Sequence, residues 1–298
     1  MSTERRNPHS VDVDLIPTER VLRIINAEDS SVAAAVGAAI PEIARVVDTA
    51  VHAIQSKGRV IYVGAGTSGR LAVQDSAECP PTFGTPPEWI QSMFAGGPDA
   101  LVQAVEDSED DRDRGAAELE AKSVSDVDLV IGIAASGATP YTVAAIECAK
   151  SRGAKTAALV AEAGTPLSKV ADITICTLVG PEVITGSTRM KAGTAHKMVL
   201  NMISTATMIR LGMTYSNWMI NVAMTNRKLR ARGIQILQEI LGVHADVASK
   251  LATRSGGNLK VAVVMGALDV DRKRAEALLA EKNGYLRKVV AHLGSGRE

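Results

Sequence analysis

Apolar residues recur along this chain in two alternating rhythms. Ile43, Val47, Ala50 and Ile54 stand at helical spacing until Lys57-Gly58 stops the pattern, which predicts a helix leading into a first strand. Five short β-like runs, largely apolar, follow: 59–63, 89–94, 129–133, 156–160 and 173–178. Segments long enough for helical crossovers separate them. Runs of this kind suit parallel strands buried on both faces, so the expected core is an open, doubly wound α/β sheet of five strands with ligands at the strands' carboxyl ends. Residues 1–30 are polar and expected to form an extended arm. Beyond residue 190 the pattern turns helical, with one helix over 198–209 and another over 219–241. From Val243 onward, Ser255-Gly256-Gly257 and Asn283-Gly284 punctuate short helical segments, predicting a small bundle of three or four helices. The expected organisation is an N-terminal arm and helix (1–54), a sheet domain (55–218) and a helical C-terminal region (219–298).

Composition narrows the function. With 46% hydrophobic residues in 298, a sizeable core is available. The 33 basic residues balance the 33 acidic ones, so no global field attracts nucleic acid or an anionic membrane, and any anion must be captured locally. Aromatics at 3% deny the stacking platforms of a single-strand binder. Arg227, Lys228, Arg230 and Arg232 are expected on a solvated or dimer-facing helix side. Cys79, Cys148 and Cys176 are widely spaced without a CxxC pair, which suggests neither a disulfide framework nor a zinc site and fits a reducing cytoplasm. The first twenty residues are charged, and no stretch reaches about 18 apolar residues, so no export or membrane signal is visible.

Two hydroxyl-bearing glycine turns carry the candidate chemistry. Gly64-Ala65-Gly66-Thr67-Ser68-Gly69-Arg70 follows the first predicted strand, and Ala134-Ala135-Ser136-Gly137-Ala138-Thr139-Pro140 follows the third. The first matches GxGxxG, but the second strand ends Met93-Phe94-Ala95-Gly96-Gly97 without the acidic residue that would hold a ribose, so the dinucleotide reading loses its second half. Free N–H groups, the helix dipole and hydroxyls from Thr67, Ser68, Ser136 and Thr139 instead suit a phosphate, with plain helix capping as the alternative. Pro140 fits a first helical turn. A third segment, 181–194, holds Glu182, Ser187, Thr188, Arg189 and Lys191 and again opens a helix; its hydroxyls and cations suit a second anionic feature such as a carboxylate.

These three segments, with Ser76-Ala77-Glu78-Cys79-Pro80-Pro81-Thr82-Phe83-Gly84 and Ala104-Val105-Glu106-Asp107-Ser108-Glu109-Asp110, closely resemble the N-acetylmuramic acid 6-phosphate etherases, a branch of the sugar isomerase (SIS) domain proteins. The resemblance covers nearly the whole chain, and the string Thr-Gly-Ser-Thr-Arg-Met-Lys-Ala-Gly-Thr-Ala at 185–195 is its most specific part. It implies cleavage of the substrate's lactyl ether to N-acetylglucosamine 6-phosphate and D-lactate in cytoplasmic recycling of cell-wall amino sugars. It also implies a homodimer, no metal and no nicotinamide or other cofactor. His196 departs from the glutamine expected after that string; a partly buried helix histidine or an aid to ring opening are its two readings.

An alkyl ether has a poor leaving group, so elimination is easier than direct hydrolysis. In the open-chain sugar the C1 aldehyde acidifies the C2 proton; a base removes it, an acid protonates the departing C3 oxygen, and water then adds. Two carboxyl groups suffice, each contributing roughly 10² to 10⁴-fold. The resemblance makes Glu78 the acid and Glu109 the base. Pro80-Pro81 is expected to end the helix begun at Thr67, leaving Glu78 near its negative end, where the neutral form is favoured. Glu109 lies in an acidic run that by residue physics alone resembles a solvated face and does not distinguish it from Glu106. The substrate-binding set expected from the three segments is Gly66, Thr67, Ser68, Ser136, Gly137, Thr139, Glu182, Ser187, Thr188, Arg189 and Lys191, the lactyl carboxylate meeting Arg189, Lys191 or backbone N–H groups. A phosphosugar isomerase, a non-catalytic sugar-phosphate sensor resembling the glucokinase regulatory proteins, and a DNA-binding SIS regulator are the competing classes. The last two fit poorly with the Glu78 and Glu109 pair and with the lack of a basic N-terminal helix-turn-helix.

Overall fold

The five apolar runs form five parallel strands in one sheet. A computed structural model describes residues 3–103, 107–222, 224 and 226–291. Three helices, α1 (Thr18–Asp29), α2 (Val32–Ala38) and α3 (Ile40–Gln55), precede β1 (Val60–Gly64). There follow α4 (Gly66–Phe83), β2 (Ile90–Phe94), α5 (Arg112–Ala121), β3 (Leu129–Ile133), α6 (Pro140–Ser151), β4 (Lys155–Val160), α7 (Pro166–Val170), β5 (Ile173–Cys176) and α8 (Lys191–Arg210). The strand order is β2-β1-β3-β4-β5, with Val60 in register with both Ile90 and Leu129.

Every residue of β1 and β3 is buried, as strands covered on both faces require. On one face Ile61, Val63, Val130 and Val160 share an apolar cluster with Leu119 of α5, Ile146 of α6 and Leu167 of α7. On the other, Tyr62 donates its phenol hydrogen to Asp75 of α4 at 3.1 Å.

Three expectations need correction. Residues 18–29 are helical rather than extended: Val21, Ile24, Ile25 and Glu28 are half-buried at i, i+3, i+4 and i+7, a face that the intervening charges obscure in the sequence. Pro80 and Pro81 do not end α4. The helix runs on to Phe83 and closes at Gly84, whose φ of +65° only glycine adopts easily and whose N–H reaches Pro80 O at 2.8 Å. The prolines remove only the N–H partners of the Ser76 and Ala77 carbonyls, so Glu78 lies before the last turn instead of within it. Finally, the helix expected over 219–241 begins at Arg227 (α9, Arg227–Leu241), because Asn226 caps it by accepting the Leu229 N–H at 2.9 Å.

The chain divides into two compact units, Met1–Ala77 with Pro87–Thr207, and Glu78–Pro86 with Met208–Glu298. The second contains α9, α10 (Ala245–Arg254), α11 (Leu259–Leu268), α12 (Arg272–Glu281) and α13 (Leu286–Val289), gathered on Leu237, Leu251, Val261, Val264 and Leu286. Arg227, Lys228, Arg230 and Arg232 are exposed on α9. Among the described residues no single helix is long and apolar enough to cross a membrane.

Candidate active site

The sheet order reverses between β1 and β3: from β1 the chain crosses to β2 on one side, and from β3 to β4 on the other. A crevice forms at the carboxyl ends of such a pair, and both hydroxyl turns open there. After β1 the backbone is packed so closely that a Cβ on Gly64 would stand 3.0 Å from the Gly69 nitrogen, and Gly66 takes φ +52°. The Gly69 N–H is the first to close a bond, to Ala65 O at 3.0 Å. The N–H groups of Gly66, Thr67 and Ser68 therefore open α4 without an acceptor among the described residues, which is the arrangement an anion needs.

The turn after β3 is tighter. Gly137 has φ +61°, and a Cβ on it would meet Thr165 Oγ1 at 2.3 Å, so no other residue fits without displacement. Ser136 Oγ accepts the Ala138 N–H at 3.2 Å. Thr139 occupies the N-cap position of α6, yet its hydroxyl makes no capping bond. The helix opening is partly closed from outside: the Tyr141 N–H donates to the backbone carbonyl of Glu109 at 3.0 Å.

That bond brings the acidic loop to the second turn. Glu109 is exposed two residues before Asp111, whose carboxylate caps α5 through the Arg114 N–H at 2.9 Å. Ala104, Val105 and Glu106 lie outside the described residues, so the choice between Glu106 and Glu109 is not one of geometry. Glu78 is exposed on α4.

The third segment behaves differently. Glu182 is fully buried and accepts the Lys191 N–H at 2.9 Å and the Ala192 N–H at 3.0 Å, so an internal carboxylate occupies the anion position at the start of α8. The Lys191 ammonium is buried against Glu28 at 2.5 Å. Burial by itself would raise the Glu28 carboxyl, but bonds from Lys191, His9 and Asn7 outweigh it and bring it down to about 2. Neither Glu182 nor Lys191 thus has its charge free. Arg189 is exposed, and its guanidinium has no partner among the described residues; the Ser187 and Thr188 hydroxyls are half-buried and likewise unbonded there. The N-terminal arm fastens this segment from behind: Asn7 donates to Pro181 O at 3.2 Å and Ser10 to Val183 O at 2.7 Å.

The segment also meets the first turn. The Thr67 methyl packs against Gly193, where a Cβ would come within 3.3 Å, and Ser68 Oγ lies 3.2 Å from His196 Nδ1. His196 is fully buried, and burial pushes its imidazole down to about 4, so the ring is neutral near pH 7.

Asp75 escaped the sequence reading. It is buried on α4, three residues before Glu78, and accepts from Asn201 Nδ2 at 2.7 Å and Ser204 Oγ at 3.0 Å as well as Tyr62. Burial raises its carboxyl against the pull of those bonds. Its signal was faint: an acid at helical spacing from Ala72 and Cys79, both buried.

Similarity to known proteins extends over the chain. Residues 42–150 match the family described as glucokinase regulatory protein N-terminal SIS domain, and residues 114–206 match the SIS domain. The N-acetylmuramic acid 6-phosphate etherase of Actinobacillus pleuropneumoniae serotype 5b (strain L20) is 44% identical over 292 residues, 98% of this chain and 96% of that protein. The etherase of Klebsiella aerogenes is 46% identical over 290 residues, 97% of each chain. Among solved structures, a phosphoheptose isomerase from Francisella tularensis aligns with a TM-score of 0.50 at 21% identity, covering 62% of this chain and 97% of that one, a likeness of fold.

Proposed function

The chain belongs to the N-acetylmuramic acid 6-phosphate etherases, and we propose on that basis that it is a carbon–oxygen lyase cleaving the D-lactyl ether of N-acetylmuramic acid 6-phosphate. With water, the products are N-acetylglucosamine 6-phosphate and D-lactate, a step of cell-wall amino-sugar recycling. The observation that carries this reading is similarity across nearly the full length of the relatives, joined to an α4 opening whose N–H groups meet no acceptor among the described residues and suit a phosphate.

In the proposed reaction the phosphate rests on the N–H groups and hydroxyls of Gly66, Thr67 and Ser68, with Ser136, Gly137 and Thr139 completing the cradle. Glu109 takes the C2 proton of the open-chain sugar. The C3–O bond then breaks, and Glu78 gives its proton to the departing lactyl oxygen. Water adds to C3 of the unsaturated aldehyde, and C2 regains a proton. Ser187, Thr188 and Arg189 face the lactyl carboxylate; a bidentate guanidinium suits that planar anion. Glu182 and Lys191 support these residues from within, the first by closing α8 and the second by tying the segment to Glu28. The enzyme works in the cytoplasm as a homodimer.

Incubation of the purified protein with N-acetylmuramic acid 6-phosphate in water enriched in oxygen-18 tests the reading. Lactate should appear unlabelled and the sugar product should carry the label at C3. No lactate would overturn the etherase reading, and label in the lactate would overturn the elimination.

A further inference from the structure

Ser68 and His196 raise a question of hydrogen bookkeeping that the cradle alone does not answer. The two side chains meet at 3.2 Å inside the protein, and the neutral imidazole owns a single N–H. Its other nitrogen, Nε2, is buried without a partner among the described residues. If the hydrogen sat on Nε2, a buried donor would be orphaned. If it sits on Nδ1, the donor is satisfied by Ser68 Oγ and only a lone pair is left bare. Orphaned N–H groups are the rarer case in folded proteins, so the second tautomer is favoured.

That choice decides what Ser68 can do. Were Nδ1 an acceptor, it would consume the serine hydrogen. With Nδ1–H donating, the Ser68 O–H is released, and it stands on the first turn of α4, where the N–H groups of residues 66–68 also meet no acceptor among the described residues. We propose that His196 is a positioning residue for the phosphate site: it donates from Nδ1 to Ser68 Oγ and thereby turns the Ser68 hydrogen outward to a phosphate oxygen. The inference rests on the phosphate-cradle reading above. It assigns His196 no contact with the sugar and no proton transfer.

Nitrogen-15 NMR of histidine-labelled protein reads the tautomer directly, with His196→Asn identifying the signal among the five histidines. The Nδ1–H form is expected, and an Nε2–H signature overturns the proposal. Calorimetry with N-acetylglucosamine 6-phosphate supplies the second readout. Ser68→Ala should weaken binding about tenfold or more, the worth of one hydrogen bond to a charged acceptor. His196→Leu should weaken it comparably, and the double variant should be no weaker than Ser68→Ala, because the histidine acts through the serine. His196→Asn, which puts an amide N–H where Nδ1 was, should bind within about threefold of the parent, as a preserved donor predicts. Additive losses, or full affinity in His196→Leu beside a loss in Ser68→Ala, overturn the positioning role alone. Full affinity in Ser68→Ala overturns the cradle and the proposal together. If His196→Leu does not fold, the tautomer and the asparagine variant still decide.

Discussion

The backbone carbonyl of Glu109 accepts the N–H of Tyr141 at 3.0 Å, which ties the acidic loop to the first turn of α6. The tie is stiffened from α5, where Tyr141 OH donates to Glu118 at 2.5 Å and Gly115 lies directly against the Tyr141 backbone. A Cβ on Gly115 would stand 2.2 Å from Tyr141 O. Gly115→Ala is therefore expected to force the two helices apart, at a cost of about 1 to 3 kcal/mol. It should also lower lactate release more than it raises KM, because Glu109 is displaced. Thermal unfolding and steady-state kinetics on one preparation check both parts.

The two proposed proton-transfer groups give the sharpest kinetic expectation. The side chains of Glu78 and Glu109 are exposed and hold no hydrogen bond or ion pair among the described residues, so Glu78→Gln and Glu109→Gln should leave the circular dichroism spectrum unchanged. Each should depress lactate release by roughly 10² to 10⁴-fold. A folded variant that kept most of its activity would remove that residue from the mechanism.

Acid should loosen the N-terminal arm through Glu28. Its folded value of about 2 lies below the ordinary 4.5, so its contribution to stability is complete above pH 4.5 and is lost as pH falls toward 2. The span corresponds to about 3 kcal/mol at most. Urea midpoints taken between pH 5 and pH 3 should fall more steeply in the parent than in Glu28→Gln.

Lys260 acts with the same sign in alkali but from the opposite cause, a buried charge that costs stability. Its ammonium is buried, donating to Gly212 O at 2.9 Å and Gly284 O at 2.8 Å, and burial lowers it from 10.5 to about 8. Below pH 8 the helical unit carries the cost of that buried charge. Between pH 8 and 10.5 the unfolded chain binds more protons than the folded one, and stability from this group rises with pH. Relative to Lys260→Met, the parent should gain stability between pH 7.5 and 9.5, as chemical denaturation will measure.

Much of the architecture was legible because it depends on local pattern. The apolar runs became β1 to β5 nearly to the residue; in β1 and β3, where every residue is buried, two covered faces leave no room for polar interruption. The glycine turns announced themselves because Gly66 and Gly137 adopt positive φ, which few other residues tolerate. Helix limits fared worse where a local signal was outweighed: Pro80-Pro81 failed to stop α4, and charges hid the half-buried face of α1.

The sequence by itself determined which elements form and that hydroxyl-bearing turns follow β1 and β3, because periodicity and backbone conformation are properties of neighbouring residues. Only the tertiary structure decided which groups remain free. It spent Glu182 on the α8 N–H groups and Lys191 on Glu28, left Arg189 without a partner among the described residues, and set His196 beside Ser68 across 128 positions of chain. Whether a charge or a hydroxyl is available to a ligand depends on what stands within about 3 Å of it, and residues distant in sequence supply that surrounding.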